Sequence, residues 1–229
     1  MKGQVESLPH CEEGILKIGI LGTGDVGRAL GNGFIALGHE VKMGSRDAHN
    51  EKAVEWASTS GINASAGTFA DAVKFGDVVV LALLWAGTEN AIKLAGVENF
   101  AGKVVIDATN PLVFEPGKGP ELALGHTDSG GEQVQRWLPA AHVVKAFNIV
   151  GQAHMFQPDF PDGPPDMFIC GNDAAAKQTV TGILKQFGWP TIDIGGIEGS
   201  RLLEPLCILW VGHGLRTGTW NHAFKLLRK

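Results

Sequence analysis

The chain has 229 residues, 44% of them hydrophobic and 19% charged, which is the composition of a folded globular protein and excludes a disordered one. A formal net charge of −5, an isoelectric point near 5.9 and the lack of any basic run argue against nucleic acid or an anionic membrane as partner. The longest apolar run, Val78 to Ala86, is too short to span a bilayer, and residues 1–14 lack the apolar stretch of a signal peptide. Cys11, Cys170 and Cys207 are odd in number and scattered, as expected of reduced thiols in a cytoplasm.

Residues 1–14 are polar and predict a loose arm. Ile15, Leu16, Ile18, Ile20 and Leu21 then form the apolar run of a strand buried on both faces. Gly22-Thr23-Gly24-Asp25-Val26-Gly27 follows at once and fits G-x-G-x-x-G. Val26, Ala29, Leu30, Gly33, Phe34 and Leu37 recur at helical spacing until Gly38, and Glu40 to Arg46 reads as a second strand. Strand, glycine turn, helix and strand in that order are the context in which this motif binds a dinucleotide. Gly22 permits the tight turn, Gly24 lets backbone approach a pyrophosphate, and Gly27 allows close helix packing. The helix N-terminus offers free N–H groups to the phosphates. Without that context, the same residues would be a glycine-rich turn and nothing more.

The end of the second strand selects the dinucleotide. An NAD site places an acid there for the ribose hydroxyls, and an NADP site an arginine for the 2′-phosphate. Here the strand ends Met43-Gly44-Ser45-Arg46. Arg46 can pair with phosphate in a charge-assisted way, and Ser45 can add a donor. Asp47, about 20 residues beyond the last motif glycine, is the competing NAD-type acid. We read it as the cap of the next helix, which favours NADP(H).

That helix is predicted over Asp47 to Ser60, followed by a short strand at Ile62 to Ser65 and a short helix at Thr68 to Phe75. Asp77 to Leu84 is a buried strand, Trp85 to Ala95 a helix and Val104 to Asp107 a strand, each crossover returning the next strand parallel. Ligands of such sheets sit beyond the carboxyl ends of the strands. Leu83, Leu84 and Trp85 fall there, as do Thr109 and Asn110. Asn110 can hydrogen-bond a carboxamide or merely form an Asn-Pro turn; Trp85 can wall a flat ring or fill the core. Glu115 to Gly131 reads as a long surface loop, Gly131 to Leu138 as a helix, and His142 to Ile149 as the sixth strand. Its end, Ala146-Phe147-Asn148, should face the same crevice.

The proline-rich stretch Met155 to Asp166 marks a connector. Strand Met167 to Cys170, helix Asp173 to Phe187, strand Thr191 to Ile194 and a helical tail from Ser200, with Pro205 in its first turn, complete the chain. The fold expected is α/β: a doubly wound, Rossmann-type, mainly parallel sheet. Residues 15–150 would form the nucleotide-binding domain, and 151–229 a smaller C-terminal extension packed on it that completes the acceptor site.

Other chemistry is thin. No H-E-x-x-H, Cys-x-x-Cys, G-x-S-x-G or Walker A sequence occurs, and the chain has no tyrosine, which excludes a Tyr-x-x-x-Lys proton donor. His213 and His222 could pair on a metal, although isolated surface or core histidines are the commoner case. No catalytic side chain and no metal site is assigned.

Taken together, Gly22 to Gly27, Gly44-Ser45-Arg46, Leu83-Leu84-Trp85, Val144-Lys145-Ala146-Phe147-Asn148 and Gly199-Ser200-Arg201 resemble the NADP oxidoreductases that depend on the deazaflavin coenzyme F-420. They are similar also to the NADPH-binding domain of the STEAP metalloreductases. The resemblance runs from about Leu16 to Trp210. It implies that the glycine turn holds the pyrophosphate, Ser45 and Arg46 the 2′-phosphate, and Leu83, Leu84, Asn110 and Ala146 to Asn148 the nicotinamide side. It also implies direct hydride transfer between stacked rings, with no side chain acting as acid or base. Trp85-Ala86-Gly87-Thr88 and the Met155 to Asp166 loop depart from the family's usual text, which leaves the hydride partner open among a deazaflavin, a flavin and a ferric chelate. No transmembrane segment follows, so a complete metalloreductase is not expected. The partners expected are a small-molecule electron carrier and a second copy of the chain in a homodimer. Two other functions share this opening: an NADP(H) sensor without turnover, and a reductase of a small imine or carbonyl whose proton donor could only be Lys145, Thr109 or His154.

Overall fold

The structure, a computed structural model, describes residues 14–115 and 117–229, so the arm expected over residues 1–14 lies almost entirely outside the described residues. In chain order the elements are β1 (Lys17–Leu21), α1 (Asp25–Ala36), β2 (Glu40–Ser45), α2 (Glu51–Thr59), β3 (Ala64–Thr68), α3 (Phe69–Phe75), β4 (Val78–Leu81), α4 (Trp85–Ala95) and β5 (Val104–Asp107). Then come β6 (Leu112–Phe114), β7 (Pro120–Leu122), α5 (Gly130–Trp137), β8 (His142–Lys145), β9 (Met167–Gly171), α6 (Ala174–Gln186), β10 (Thr191–Asp193) and α7 (Ser200–Thr217).

Eight strands form one sheet in the order β10-β9-β8-β5-β4-β1-β2-β3. The chain winds outward from β1 through β2 to β3, then returns to the other side of β1 with β4. The reversal leaves a crevice beyond the carboxyl ends of β1 and β4, the usual ligand position in a doubly wound sheet. Strand alternation explains why both faces are covered. Ile18, Ile20, Val78, Val80, Val104 and Ile106 point to one face and pack with Leu30 and Phe34 of α1 and Ile183 of α6. Leu21, Val79, Leu81 and Val105 point to the other and pack with α3, α4 and α5 through Val73, Ile92 and Val134. The doubly wound, mainly parallel sheet read from the sequence is therefore the architecture observed.

Several local expectations need correction. The sequence leaves the direction of β9 open: the strand runs antiparallel to β8, through Val144 with Gly171 and Lys145 with Cys170. No crossover helix separates the two strands, so the chain re-enters the sheet from the edge it has just left. α6 then supplies a crossover, and β10 is parallel to β9. The C-terminal strands thus extend the same sheet. β4 stops at Leu81 and β8 at Lys145, so Leu83, Leu84 and Ala146 to Asn148 lie beyond the strands that were expected to include them. The loop expected from Glu115 contains part of a hairpin, since β6 pairs antiparallel with β7. The cap of α2 is Asn50, whose side chain accepts from Ala53 N–H at 3.2 Å, and not Asp47, which accepts from His49 N–H at 2.9 Å. α7 begins at Ser200 as expected, but Pro205 is the sixth residue from that start and so falls beyond the first turn. The helix ends at Thr217, with Gly218 in the left-handed region.

Candidate functional site

The glycine turn has the geometry its residues demand. Gly22 adopts φ +124°, where a side chain is strained, and a Cβ there would run into the Ala82 carbonyl. A Cβ at Gly27 would strike the Gly22 carbonyl, so this glycine lets α1 sit close against the turn. Gly24 differs: a Cβ built on it meets nothing within 4 Å. It is the N-cap of α1 in extended conformation, and no side chain caps the helix. Space and unsatisfied N–H groups therefore coincide at the carboxyl end of β1, as a pyrophosphate requires. Asp25 sits at the rim paired with Arg28 at 3.0 Å, and Val26 packs partly into the core. Thr23 is half-buried at the crest of the turn.

β2 delivers Ser45 and Arg46 to the neighbouring strand end. Arg46 is exposed, with no ion pair among the described residues. Ser45 is buried; its hydroxyl donates to the Asp47 carbonyl and accepts the Asp47 N–H at 3.2 Å. The hydroxyl is thus committed to shaping the turn that presents Arg46, a role the strand-end reading did not foresee. Asp47 is exposed beside it.

On the other side of β1, α4 begins at Trp85 with Leu84 as N-cap, again without a side-chain cap. Leu84 is 86% exposed, an unusual cost for a leucine at a helix start, and Leu83 is half-buried next to it. Trp85 is partly buried and stacks on Trp137 at 5.3 Å between ring centroids, packed against the core. Beyond β5 and β8 two asparagines clasp each other. Asn110 Nδ2 donates to the Asn148 carbonyl at 2.8 Å, and Asn148 Nδ2 donates to Asn110 Oδ1 at 3.0 Å and to the Leu203 carbonyl at 3.1 Å. Asn148 Oδ1 is buried with no hydrogen-bond partner. Ala146 and Phe147 are buried, and Phe147 takes φ +63° while its ring packs on Phe187, so Phe147 offers only its backbone to the strand end.

The three residues weighed as proton donors are all engaged elsewhere. Thr109 is buried and its hydroxyl donates to Asp107 Oδ1 at 2.7 Å. His154 Nε2 lies 3.2 Å from Asn221 Oδ1, and its ring packs on Phe160. Lys145 is fully buried between Asp107 Oδ2 at 2.7 Å and Glu204 Oε1 at 2.9 Å. Burial alone would lower its pKa, but the two carboxylates outweigh burial and hold it well above the ordinary lysine range. His213 and His222 do meet, edge to face at 4.6 Å, but among the described residues no group of three or more potential ligands gathers around a metal position. Cys170 and Cys207 are buried free thiols raised by burial to about 11 and about 12, which makes them inert. Cys11 lies outside the described residues.

Sequence reasoning missed Asp107 and Glu204. The signal was present, in a lone carboxylate ending the run Val104-Val105-Ile106 and another inside an otherwise apolar helix.

Fold and site together define a dinucleotide-binding domain of the doubly wound class. Comparisons then place the chain more narrowly. The family model described as NADP oxidoreductase, coenzyme F420-dependent, matches residues 17–111. The F420-dependent NADP reductase of Methanocaldococcus jannaschii is 36% identical over 211 residues, spanning 88% of this chain and 93% of that protein. Metalloreductase STEAP3 of Rattus norvegicus is 31% identical over 203 residues, which is 87% of this chain but 38% of that protein. A crystal structure described as a candidate F420-dependent NADP reductase from Arthrobacter sp. superimposes with TM-score 0.87 at 38% identity, covering 93% of this chain and 100% of that one. The chain belongs to the family of F420-dependent NADP reductases and is an NADP-dependent oxidoreductase. Among the described residues no helix is long and apolar enough to cross a membrane.

Proposed function

We propose that this protein transfers hydride between NADP(H) and a flat electron carrier, of which a deazaflavin is the first candidate and a flavin or ferric chelate the alternatives. The observation that carries the reading is the uncapped N-terminus of α1 with open space over Gly24, while Lys145, Thr109 and His154 are all occupied by partners. When bound, NADPH supplies the hydride at its nicotinamide. The chain's own residues bind and orient it. The backbone around Gly22, Thr23 and Gly24 and the N–H groups of Asp25, Val26 and Gly27 would receive the pyrophosphate, and Arg46 the 2′-phosphate, with Ser45 shaping its turn. Leu83 and Leu84 would cover one side of the nicotinamide, and the backbone from Ala146 to Asn148 would face the other. Asn110 and Ala146 would hold the floor beneath. The reaction depends on holding two rings at about 3–3.5 Å and on excluding water.

The C-terminal extension would complete the acceptor side, since Asn148 is tied to α7 through the Leu203 carbonyl. Exposed Leu202, Leu209 and Leu215 on α7 support association with a second copy of the chain, and light scattering would test for the dimer. A cytoplasmic setting accords with two free buried thiols.

The test is an acceptor screen that follows NADPH oxidation with deazaflavin, flavin and ferric chelate, continued with NADPH deuterated at either face of C4. Hydride transfer to one acceptor class, with a deuterium effect from one face, is expected. Tight NADPH binding with no oxidation by any acceptor would leave a sensor. His154→Ala losing about 100-fold or more of the rate, with NADPH binding intact, would favour acid-assisted reduction of an imine or carbonyl.

A further inference from the structure

The Lys145 ammonium and the Asp107 and Glu204 carboxylates form a charged cluster at the carboxyl ends of β5 and β8 that has no access to solvent, with side-chain exposures of 0%, 0% and 1%. Most of its polar atoms have hydrogen-bond partners; Asp107 Oδ2 is the exception, held by the ion pair with Lys145 at 2.7 Å. Asp107 Oδ1 accepts both the N–H of Thr109 at 3.0 Å and its hydroxyl at 2.7 Å. Glu204 accepts the N–H groups of Gly130 and Gly131, each at 2.9 Å, at the N-terminus of α5. Lys145 also donates to the Thr109 carbonyl at 2.9 Å. A Cβ on Gly131 would run into the Ser200 hydroxyl, so the glycine pair is what lets α7 approach closely enough for Glu204 to reach.

An apolar trio of similar volume could hold the same four segments together, often without loss of stability. What it could not do is fix direction. Thr109 is held at once by its N–H, its hydroxyl and its carbonyl, all to the cluster, and the next residue is Asn110. Asn110 in turn clasps Asn148, which reaches the Leu203 carbonyl, next in sequence to Glu204. The network is a closed ring: cluster, Thr109, Asn110, Asn148, α7 and back to the cluster.

We infer that Lys145 and Glu204 are positioning residues, which hold the Thr109–Asn110 turn and Asn148 in register with α7 and so set the depth and the exposed face of the nicotinamide in the crevice. This rests on the NADP(H) reading given above. Neither residue touches the reacting atoms. Their contribution is orientation, to which hydride transfer is sensitive, since a 1 Å misplacement can cost roughly 100-fold.

Glu204→Gln keeps the shape and removes the charge that binds Lys145. Its affinity for 2′,5′-ADP, which probes only the adenosine half, should stay within about twofold of the unaltered protein. Its single-turnover hydride transfer from NADPH should fall by about 10- to 100-fold, and label should leak from the disfavoured face of 4-deuterated NADPH. Glu204→Asp, which keeps the charge but shortens the reach, should fall between the two, and it carries the same test if Glu204→Gln does not fold. A folded variant with unchanged rate and face selectivity would overturn the inference. So would a parallel loss of 2′,5′-ADP affinity and rate, which is the mark of general loosening. Unaltered protein that binds neither NADPH nor 2′,5′-ADP would overturn the NADP(H) reading itself.

Discussion

Two helix N-termini in this molecule face the same electrostatic demand and meet it in opposite ways. α1 begins at the glycine turn with no side-chain cap and with open space over Gly24. α5 begins at another glycine pair, Gly130-Gly131, but Ser129 caps it and the buried carboxylate of Glu204 takes both glycine N–H groups. Both ends attract negative charge. One is filled from within by a carboxylate delivered from α7, and it becomes part of the scaffold. The other has no cap from the chain and open space in front of it, and is the end we propose for the dinucleotide phosphates. α4 and α7 also lack a side-chain cap, so what sets α1 apart is the combination of an uncapped end with the open space over Gly24.

The largest expected effect breaks the open end. Gly24→Val puts a branched side chain into space that touches no protein atom within 4 Å, so the fold should survive while dinucleotide binding is abolished. Calorimetric titration with NADPH on a variant of unchanged circular dichroism checks this, and retained binding would refute the assignment of the turn. The closed end should break differently. Lys145→Met leaves two carboxylates buried beside each other without their cation, a loss of about 3–5 kcal/mol in stability to be read by denaturant unfolding. A variant as stable as the parent would show that the cluster is dispensable. Arg46→Ala removes one charge-assisted pair and should cost about 1.5–3 kcal/mol in NADPH affinity while leaving NADH unaffected. Equal affinities for the two nucleotides in the unaltered protein would contradict that role.

The smallest effect lies behind α1, at the end away from the site. Burial holds His39 below the ordinary imidazole range, although its hydrogen bond to Gln186 opposes this. Its Nδ1 accepts the Leu16 N–H at 3.2 Å, a bond that protonation would abolish. Since the folded pKa lies below the unfolded value, the contribution is whole above the unfolded pKa and is lost as pH falls through the folded one. Thermal midpoints measured from about pH 8 to pH 5 should decline more steeply in the unaltered protein than in His39→Gln. Parallel slopes would exclude His39 as a source of the decline.

Much of the nucleotide half could be read from the chain because its signals are local. The apolar run Ile18 to Leu21, the spacing of Gly22, Gly24 and Gly27 and the helical period from Val26 to Leu37 each lie within one short segment. Trp85 to Ala95 was likewise legible to the residue as a helix. Ser45 was legible as a strand-end residue but not as one whose hydroxyl is spent on Asp47, because that depends on how the turn closes. The cap of α2 was misplaced at Asp47 because Asp47 and Asn50 are both good caps, and the geometry of the turn chose between them.

By itself, then, the sequence determined the order of the helices and of the strands of the main sheet, the doubly wound class and the place of the glycine turn, because periodicity and glycine spacing act over a few residues. Tertiary structure alone decided that β9 enters antiparallel, that Asn110 and Asn148 clasp each other, and that Asp107, Lys145 and Glu204 share one dry cluster. Those outcomes join residues far apart in the chain. Whether a buried charge is a reactive group or a sealed one depends on the partners that burial brings to it, and no local pattern records which they are.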